Sequence, residues 1–453
     1  MLNGCWFNYN YLQFHTNDFI PGRNIFTIIV GRNGSGKSRL LRGLVNNFAL
    51  VPEYRFDRDS YRPSNAEEEV RLTSTDIINL PSKVIASSTS PFDKFPVDRK
   101  GVRSGYYEYL GLKGLPSANL SLAFMAKTIG SLVRSINSDA VNSETIASIL
   151  DYLGYHGVVR ARFALEPTPN RLIEILASVD PVKELLELMR CRPMMVSGKF
   201  IRRQEALDSE SFNEEVVEAL RAFVDSGCKP RLDIVIDKDG VRDYRTARLI
   251  DDMFTILLEA GFLRLRDITL HKKGILDPFR MSDASSGEQC VVMTILGIAS
   301  QIRNGSLVCI DEPEICLHPE WQEKYIELLI STFSRFEGCH FVIATHSPQI
   351  ISRLADHNCY VLDMHSNETF NANELNKKSA DFQLASVFGA PGYKNEYLTR
   401  ELVSALATLG SGNSLTKERI AMLERILPLK NALDSSDPVL RLMDILTSAL
   451  EEV

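Results

Sequence analysis

The chain has 453 residues, a length that favours about three domains or one large domain with insertions. Its composition, 44% hydrophobic and 24% charged, excludes collagen-like, low-complexity and wholly disordered proteins. The 51 basic and 58 acidic residues give a net charge of −7, which argues against a general nucleic-acid coat. No apolar run reaches the roughly 20 residues of a membrane helix, and the first residues lack a signal-peptide pattern. We therefore expect a cytoplasmic protein with no membrane partner.

The eight cysteines are scattered without a CxxC pair, and the eight histidines show no HExxH or HxxxH spacing. This distribution favours buried, reduced thiols over disulfides or zinc ligands. The sequence therefore predicts no metal site built from cysteine and histidine alone.

The first hundred residues contain a strand, a glycine loop and a helix. Residues 25–30 are rich in β-branched side chains and end at Gly31, and apolar residues follow at helical spacing from Lys37. Residues 83–88 predict a second strand.

The middle of the chain, from about 101 to 265, shows mainly helical periodicity. It predicts helices over 120–136, 143–153, 171–178 and 211–224, the last with a capping box that begins at Ser211. Alternating apolar residues over 232–236 run into Asp239-Gly240, which is typical of a hairpin. We interpret the region as an inserted, mostly helical subdomain.

Strands alternate with helices in the next part of the chain. The pattern predicts a helix over 287–302, a buried strand over 307–310, a helix over 320–336 and a buried strand over 341–344. Helices follow near 397–409, 416–426 and 437–452. The predicted fold class is therefore α/β with a parallel sheet and a helical tail.

A phosphate-binding loop of the form GxxxxGK[ST] lies between the first predicted strand and helix. Glycines let backbone N–H groups surround a phosphate at a helix N-terminus, while the lysine reaches the β- and γ-phosphates and the hydroxyl ligates Mg²⁺. The candidate ATP-binding residues are Gly31, Arg32, Asn33, Gly34, Ser35, Gly36, Lys37 and Ser38. Ser38 is also a candidate Mg²⁺ ligand.

Two carboxylates end the buried strand at 307–310. Asp311 is the second candidate Mg²⁺ ligand, acting through water, and Glu312 is the candidate catalytic residue that polarises the attacking water. An acidic turn at the end of a strand is the alternative interpretation.

A second anion site is predicted at the start of the helix at 287–302. Ser285, Ser286, Gly287 and Glu288 offer hydroxyls and free N–H groups at a helix N-terminus, about 25 residues before Asp311. A plain helix cap is the alternative.

His346 directly follows the buried strand at 341–344. A neutral imidazole there can donate a hydrogen bond to the γ-phosphate, so His346 is the second candidate catalytic residue. A structural role is the alternative.

These four elements, in this order and spacing, resemble the ABC-type ATPase heads of the overcoming-lysogenization-defect, RecF and SMC group. The resemblance covers residues 1–100 and 266–365. It implies an ATPase lobe over 1–100, a helical insertion over 101–265, a second ATPase lobe over 266–395 and a helical tail over 396–453. It also implies ATP and Mg²⁺ as cofactors and a head-to-tail dimer or larger homo-oligomer.

The sequence departs from the ABC pattern at two places. No glutamine lies in 83–96, where a Q-loop follows the second strand, and 87–96 reads SSTSPFDKFP instead. His318 stands where many ABC proteins have the aspartate of the D-loop. Both departures leave details of the nucleotide contacts open.

The tail distinguishes branches of this group. Beyond His346 there is no DxD of a Toprim nuclease, and Asp57-x-Asp59 and Asp237-x-Asp239 fit turns. The stretch 388–398 looks like the PtuA family of Septu antiphage systems, which implies a separate HNH nuclease partner of the PtuB type. We therefore expect a slow ATPase without nuclease activity of its own that regulates this partner.

A DNA-repair ATPase of RecF character, acting as a nucleotide-gated DNA clamp, is the alternative function. The basic residues Arg190, Arg192, Lys199, Arg202 and Arg203 could line a phosphate track, although such runs are also typical of solvated surfaces. DNA therefore stays open as a partner.

Overall fold

The computed structural model describes residues 1–49, 70–97, 105–113, 115, 120–138, 143–190, 209–225, 230–355, 357–375 and 377–451. The candidate pair Asp57 and Asp59 and most of the basic cluster at 190–203 lie outside these residues. The strands of the described part are β1 Gly4–Phe7, β2 Asn10–Gln13, β3 Ile25–Val30, β4 Val70–Arg71, β5 Val84–Ser88, β6 Tyr107–Gly111, β7 Val159–Leu165, β8 Arg231–Asp237, β9 Gly240–Asp243, β10 Leu263–Leu270, β11 Phe279–Arg280, β12 Leu307–Asp311, β13 His340–Ala344, β14 Cys359–Asp363 and β15 Glu368–Asn371.

The helices predicted from the sequence are present with ends shifted by a few residues, and the described residues contain five further helices. They are α1 Lys37–Ala49, α2 Leu120–Asn137, α3 Ser143–Tyr152, α4 Pro169–Leu176, α5 Pro181–Arg190, α6 Ser209–Asp225, α7 Asp252–Glu259, α8 Ser286–Ala299, α9 Pro319–Phe333, α10 Pro348–Ser352, α11 Ala372–Leu375, α12 Ala380–Ser386, α13 Glu396–Gly410, α14 Lys417–Ile426 and α15 Pro438–Glu451. Short 3₁₀ turns span 281–283, 313–316 and 427–432. The capping box predicted at Ser211 is wrong, because α6 already begins at Ser209.

A seven-stranded sheet forms the centre of the molecule, in the order β15-β14-β3-β13-β12-β5-β6. All its strands are parallel except β15, which pairs antiparallel with β14 at one edge. Every residue of β3, β12 and β13 is buried, as expected for a parallel sheet covered on both faces. The α/β prediction is confirmed. The adjacent strands β3, β13 and β12 all end at the edge where the predicted site residues begin.

Two apolar layers cover this sheet. On one face, α1 packs its buried leucines against the three-stranded antiparallel sheet β2-β1-β4. On the other face, α2, α8 and α9 contribute to the larger core. Each fully buried leucine or isoleucine contributes about 2 kcal/mol of transfer free energy. The two layers together therefore stabilise the central sheet, and the loops of the site extend from this packed sheet.

The region 101–265 contains more β-structure than the sequence predicts. Its strand β6 joins the central sheet, and β7, β8 and β9 form a five-stranded antiparallel sheet with β10 and β11 in the order β11-β10-β7-β8-β9. The predicted hairpin is confirmed, with Asp237 paired to Gly240. The strand β10 crosses the expected boundary at 265/266, so this boundary cuts through a continuous sheet.

The tail helices have a small core of their own. Apolar side chains of α13, α14 and α15 pack together there, namely Leu398, Leu402, Ala405, Leu423, Ile426, Val439, Met443 and Leu446. The helical tail is therefore a packed unit. Among the described helices, none combines the length and apolar character needed to cross a bilayer.

Candidate functional site

The glycine loop adopts the backbone conformation that phosphate binding requires. Gly31, Gly34 and Gly36 have positive φ angles of 150°, 82° and 99°. A Cβ on Gly36 would lie 2.8 Å from the Phe7 ring, so a side chain is excluded there. Open space surrounds Gly34, which is the position where a bound phosphate can approach the backbone. The loop is thus shaped by β3, α1 and β1 together.

Lys37 lies buried at the base of this loop. Its Nζ donates to the carbonyl oxygens of Gly31 at 2.9 Å and Arg32 at 3.4 Å. Burial lowers the pKa of Lys37 to about 8, and the nearby carboxylates only partly restore it. A triphosphate would supply the missing negative charge, so the ammonium fits such a ligand.

Ser38 and Asp311 form the candidate Mg²⁺ site. Ser38 Oγ donates to Asp311 Oδ1 at 3.1 Å, which joins the start of α1 to the end of β12. Burial raises the pKa of Asp311 to about 7, with neighbouring carboxylates as lesser causes. A hydroxyl and a buried carboxylate are oxygen ligands of the kind that Mg²⁺ prefers. The residues therefore fit Mg²⁺ bound together with a triphosphate.

Glu312 and His346 meet at the same edge of the sheet. Glu312 has φ 48° and ψ 58°, a left-handed conformation that costs a non-glycine residue about 1 kcal/mol. His346 Nε2 lies 3.4 Å from Glu312 Oε1, and His346 Nδ1 lies 3.3 Å from Lys37 Nζ. This pattern assigns the proton to Nε2, because Nδ1 faces the ammonium. Burial, followed by the charge of Lys37, lowers the pKa of His346 and keeps it neutral.

Glu314 is a site residue that the sequence analysis missed. Its Oε1 accepts a hydrogen bond from the backbone N–H of His346 and so ties the turn after β12 to the end of β13. Burial raises the pKa of Glu314. The acidic pattern Asp311-Glu312-Pro313-Glu314 was the available signal, but only the register of β12 and β13 shows which carboxylate positions the histidine.

The residues of the predicted second anion site lie at the start of α8, and their side chains point in two different directions. Ser285 caps the helix, its Oγ accepting from Glu288 N–H at 3.2 Å, and both Ser285 and Ser286 are exposed. Glu288 instead points inward, where it accepts from the Tyr155 hydroxyl and pairs with Lys272 Nζ at 2.7 Å. We therefore find the serines on the surface, while Glu288 connects α8 to the neighbourhood of the five-stranded sheet.

Two features mark the places where the sequence departs from the ABC pattern. In the Q-loop region, Ser88 Oγ donates to the Asp311 carbonyl at 3.2 Å, and Asp93 accepts from Phe95 N–H and the Tyr109 hydroxyl. At the D-loop position, His318 is exposed at the N-cap of α9 and makes no side-chain capping bond. On the Q-loop side, Ser88 thus contacts the end of β12.

The stretch 388–398, which leads into the tail, touches the phosphate loop directly. The Arg32 guanidinium donates to the Gly389 carbonyl at 3.0 Å. Gly389 has φ 59°, and a Cβ there would lie 3.3 Å from the guanidinium. This contact links the stretch 388–398 to the nucleotide site, a relation that sequence spacing cannot reveal.

The family model "AAA domain, putative AbiEii toxin, Type IV TA system" matches residues 196–352, about a third of the chain. The chain is 24% identical over 389 residues to "Retron Ec83 probable ATPase" of Escherichia coli, covering 78% of this chain and 70% of that protein. It is 21% identical over 404 residues to "Retron Vc95 probable ATPase" of Vibrio cholerae, covering 78% and 72% respectively.

Solved structures similar to the chain include a putative metal-chelate type ABC transporter, with a TM-score of 0.29, 12% identity and 82% coverage of both chains. The Smc head domain of Pyrococcus furiosus bound to the C-terminal domain of ScpA has a TM-score of 0.25 and 14% identity, covering 79% of this chain and 92% of that chain.

The matched family model, together with the phosphate loop and the strand-end carboxylates, indicates an ATPase domain. The chain is related to the retron ATPases.

Proposed function

We propose that the chain binds and hydrolyses ATP as a slow ABC-type ATPase, and that its nucleotide state regulates a partner HNH nuclease in antiphage defence. The observation that carries the ATPase part is the meeting of Lys37, Glu312 and His346 beside the Ser38–Asp311 pair. In this arrangement the Lys37 ammonium, the Glu312 carboxylate and the Ser38–Asp311 pair, which would hold Mg²⁺, all lie beside the phosphate loop.

Each residue has a distinct role in this proposal. Mg²⁺-ATP supplies the phosphoanhydride bond that is cleaved. Lys37 holds the β- and γ-phosphates, and Ser38 with Asp311 holds the metal. Glu312 Oε1 would orient and polarise the attacking water, and the Nε2–H of neutral His346 would turn from Glu312 to donate a hydrogen bond to the γ-phosphate when ATP is bound. The 3.4 Å contact between Glu312 Oε1 and His346 Nε2 couples the positions of these two side chains.

A second copy of the chain completes the site. Ser285 and Ser286 are exposed at the N-terminus of a 14-residue helix, and the described hydrogen bonds of Ser285–Glu288 do not reach the chain's own phosphate loop. Two chains placed head to tail would each present these donors to the other's γ-phosphate. ATP would therefore join two heads.

The proposed nuclease partner rests on the tail and on the relatives. The stretch 388–398 resembles the PtuA family, and the relatives are named as ATPases of retrons. The description of the matched family model names a putative AbiEii toxin and a Type IV TA system. The Arg32–Gly389 contact gives a route by which the phosphate loop could influence a protein bound at the stretch 388–398.

Co-purification from the native operon tests this function. We expect an HNH protein to co-purify, and its nuclease activity to differ with and without ATP. The Lys37→Ala variant should abolish this difference, and the chain alone should cleave no DNA with Mg²⁺ or Mn²⁺. A complex whose nuclease activity ignores ATP, or cleavage by the isolated chain, would contradict the proposal.

One observation favours the second candidate function, a nucleotide-gated DNA clamp. The exposed side of the five-stranded sheet carries an arginine face, defined as Arg162, Arg245, Arg264, Arg266 and Arg280. In the ion pairs of the described residues, these five cations share three carboxylates: Asp233, Glu166 and Asp267. The excess positive charge could bind a phosphate backbone.

Fluorescence anisotropy with a labelled DNA duplex separates this candidate from the first. Charge reversal at Arg162 and Arg264 should weaken salt-dependent binding at least tenfold if the arginine face is the DNA site. Arg171→Glu is the matched control, because Arg171 is equally exposed but lies on α4 and pairs with Glu174. Equal losses in both variants would count against a clamp that uses this face.

A further inference from the structure

Two cysteines meet where α8 packs against the turn that follows Glu312. Cys290 lies in the first turns of α8, and Cys316 is the last residue of the 3₁₀ turn at 313–316. Each side chain shifts the pKa of the other, so these two thiols, 26 positions apart in sequence, lie close together in the fold.

Backbone packing fixes this contact. A Cβ on Gly287 would lie 3.1 Å from the Cys316 carbonyl oxygen and 3.6 Å from Leu317 Cα. Cys290 follows Gly287 by three residues and therefore lies on the same face of the helix. The glycine lets α8 approach the turn so closely that both thiols are held at the interface between the two elements.

The two thiols differ in exposure. Cys316 is exposed, whereas Cys290 is half-buried, and the other described cysteines, Cys5, Cys309, Cys339 and Cys359, are buried. The expectation of buried thiols is therefore wrong for Cys316. The neighbouring Cys290 lowers the pKa of Cys316, whereas Cys316, followed by burial, raises the pKa of Cys290. An exposed thiolate next to a protected thiol is the arrangement of an attacking and a resolving cysteine.

We propose that Cys316 and Cys290 are an oxidative modification site that forms an intramolecular disulfide with a hydroperoxide. The Cys316 thiolate attacks the O–O bond, takes one oxygen as a sulfenic acid, and the other oxygen leaves as water or an alcohol after protonation. The Cys290 sulfur then attacks the Cys316 sulfur, the S–S bond forms, and the hydroxyl leaves as water. Two thiols lose two electrons in total, and the peroxide gains them.

The disulfide would join α8 to the turn between Glu312 and His318. The phosphate loop lies on other elements, so we expect ATP binding to persist in the oxidised chain. Hydrolysis should slow, because Ser285 and Ser286 could no longer move independently of Glu312. This consequence rests on the proposed function, whereas the disulfide itself does not.

Peptide mapping of the full chain tests the disulfide. The reduced protein is treated with a small excess of hydrogen peroxide, blocked with N-ethylmaleimide and digested under non-reducing conditions. We expect a Cys290–Cys316 cross-linked peptide that dithiothreitol removes, formed at least about tenfold faster than oxidation of Cys309 or Cys339. Cys316 that stays unmodified, or that pairs with a different cysteine, would overturn the proposal.

Two variants identify the role of each sulfur. In Cys290→Ser, a dimedone adduct should accumulate on Cys316, because no resolving thiol is present. In Cys316→Ser, neither the adduct nor the cross-link should form at Cys290. The wild-type map remains decisive if either variant fails to fold. ATPase activity of the reduced wild type is measured in parallel, so that loss of the proposed ATPase function is distinguishable from absence of the disulfide.

Discussion

Lys37 places a buried ammonium against the carbonyl groups of its own loop, at 2.9 Å from Gly31 O. We expect Lys37→Ala to lower ATP affinity by about 100-fold or more, because the variant loses the cation that faces the β- and γ-phosphates. Isothermal titration calorimetry measures the change. Lys324→Ala is the control, since Lys324 is exposed on α9 and pairs only with Glu320 in the described contacts. A folded Lys37→Ala protein with unchanged ATP affinity would show that the phosphate loop does not bind ATP as proposed.

Glu312 is held toward the site by its left-handed backbone and by the contact with His346. We expect Glu312→Gln to keep ATP binding and to lower the hydrolysis rate at least tenfold, because the amide preserves shape but cannot act as a base. His346→Ala should show a smaller loss. Steady-state phosphate release measures both variants beside Glu320→Gln, an exposed control on α9. A wild-type hydrolysis rate in Glu312→Gln would show that Glu312 is an ordinary turn residue without a role in hydrolysis.

Asp311 makes the stability of the metal-free protein depend on pH. Burial raises its pKa from 3.8 to about 7, so between these values the unfolded chain loses the proton first. The folded state is therefore penalised progressively from about pH 4 to pH 7, and the penalty persists above pH 7. Asparagine cannot ionise and escapes this penalty.

We therefore expect Asp311→Asn to unfold a few degrees above wild type at pH 8 in the absence of metal, with a smaller difference at pH 5. Differential scanning calorimetry in EDTA measures both. Asp444→Asn serves as the control, because Asp444 is exposed and pairs with Lys430. A difference that is the same at both pH values would show that the Asp311 carboxyl is not buried as described.

At the scale of elements, the alternation of β3, α1, β12, α9 and β13 was predictable because each has a strong apolar pattern. The same patterns locate the strand ends that carry Asp311 and His346 and the helix start that carries Lys37. The order of strands in the sheet was not predictable, since β3 pairs with β13 more than 300 residues away.

The five-stranded sheet was missed for a physical reason. In β7, buried Val159, Ala161 and Phe163 alternate with Arg160 and Arg162, a period-two pattern in a region otherwise dominated by helices. The strands that complete this sheet lie about 70 and 100 residues later along the chain. Local periodicity cannot identify such partners.

The start of α8 carries a prediction of its own. We expect Ser286→Arg to retain ATP binding at the phosphate loop and to hydrolyse at least tenfold more slowly, because the bulky cation would block the approach of a second head. Ser334→Arg is the matched control, an exposed serine at the end of α9. Ser286→Arg with wild-type hydrolysis would refute the composite site.

At the scale of the whole molecule, the phosphate loop, the start of α8 and the stretch 388–398 lie on separate elements that meet at defined contacts. The Arg32–Gly389 hydrogen bond joins the phosphate loop to the stretch 388–398, and the Glu288 contacts with Tyr155 and Lys272 join α8 to the region of the five-stranded sheet. The sequence predicts each of these elements, but only the tertiary contacts show which of them touch one another.

The central claim is that ATP joins two heads through sites that neither chain completes alone. Light scattering of Glu312→Gln at micromolar concentration, with and without ATP and Mg²⁺, tests it most directly, because this variant should bind ATP without consuming it. We predict a species of twice the 50.9 kDa chain mass, or a larger even multiple, that requires ATP and does not form in the Glu312→Gln, Ser286→Arg double variant. A strictly monomeric Glu312→Gln protein with ATP bound would contradict the account.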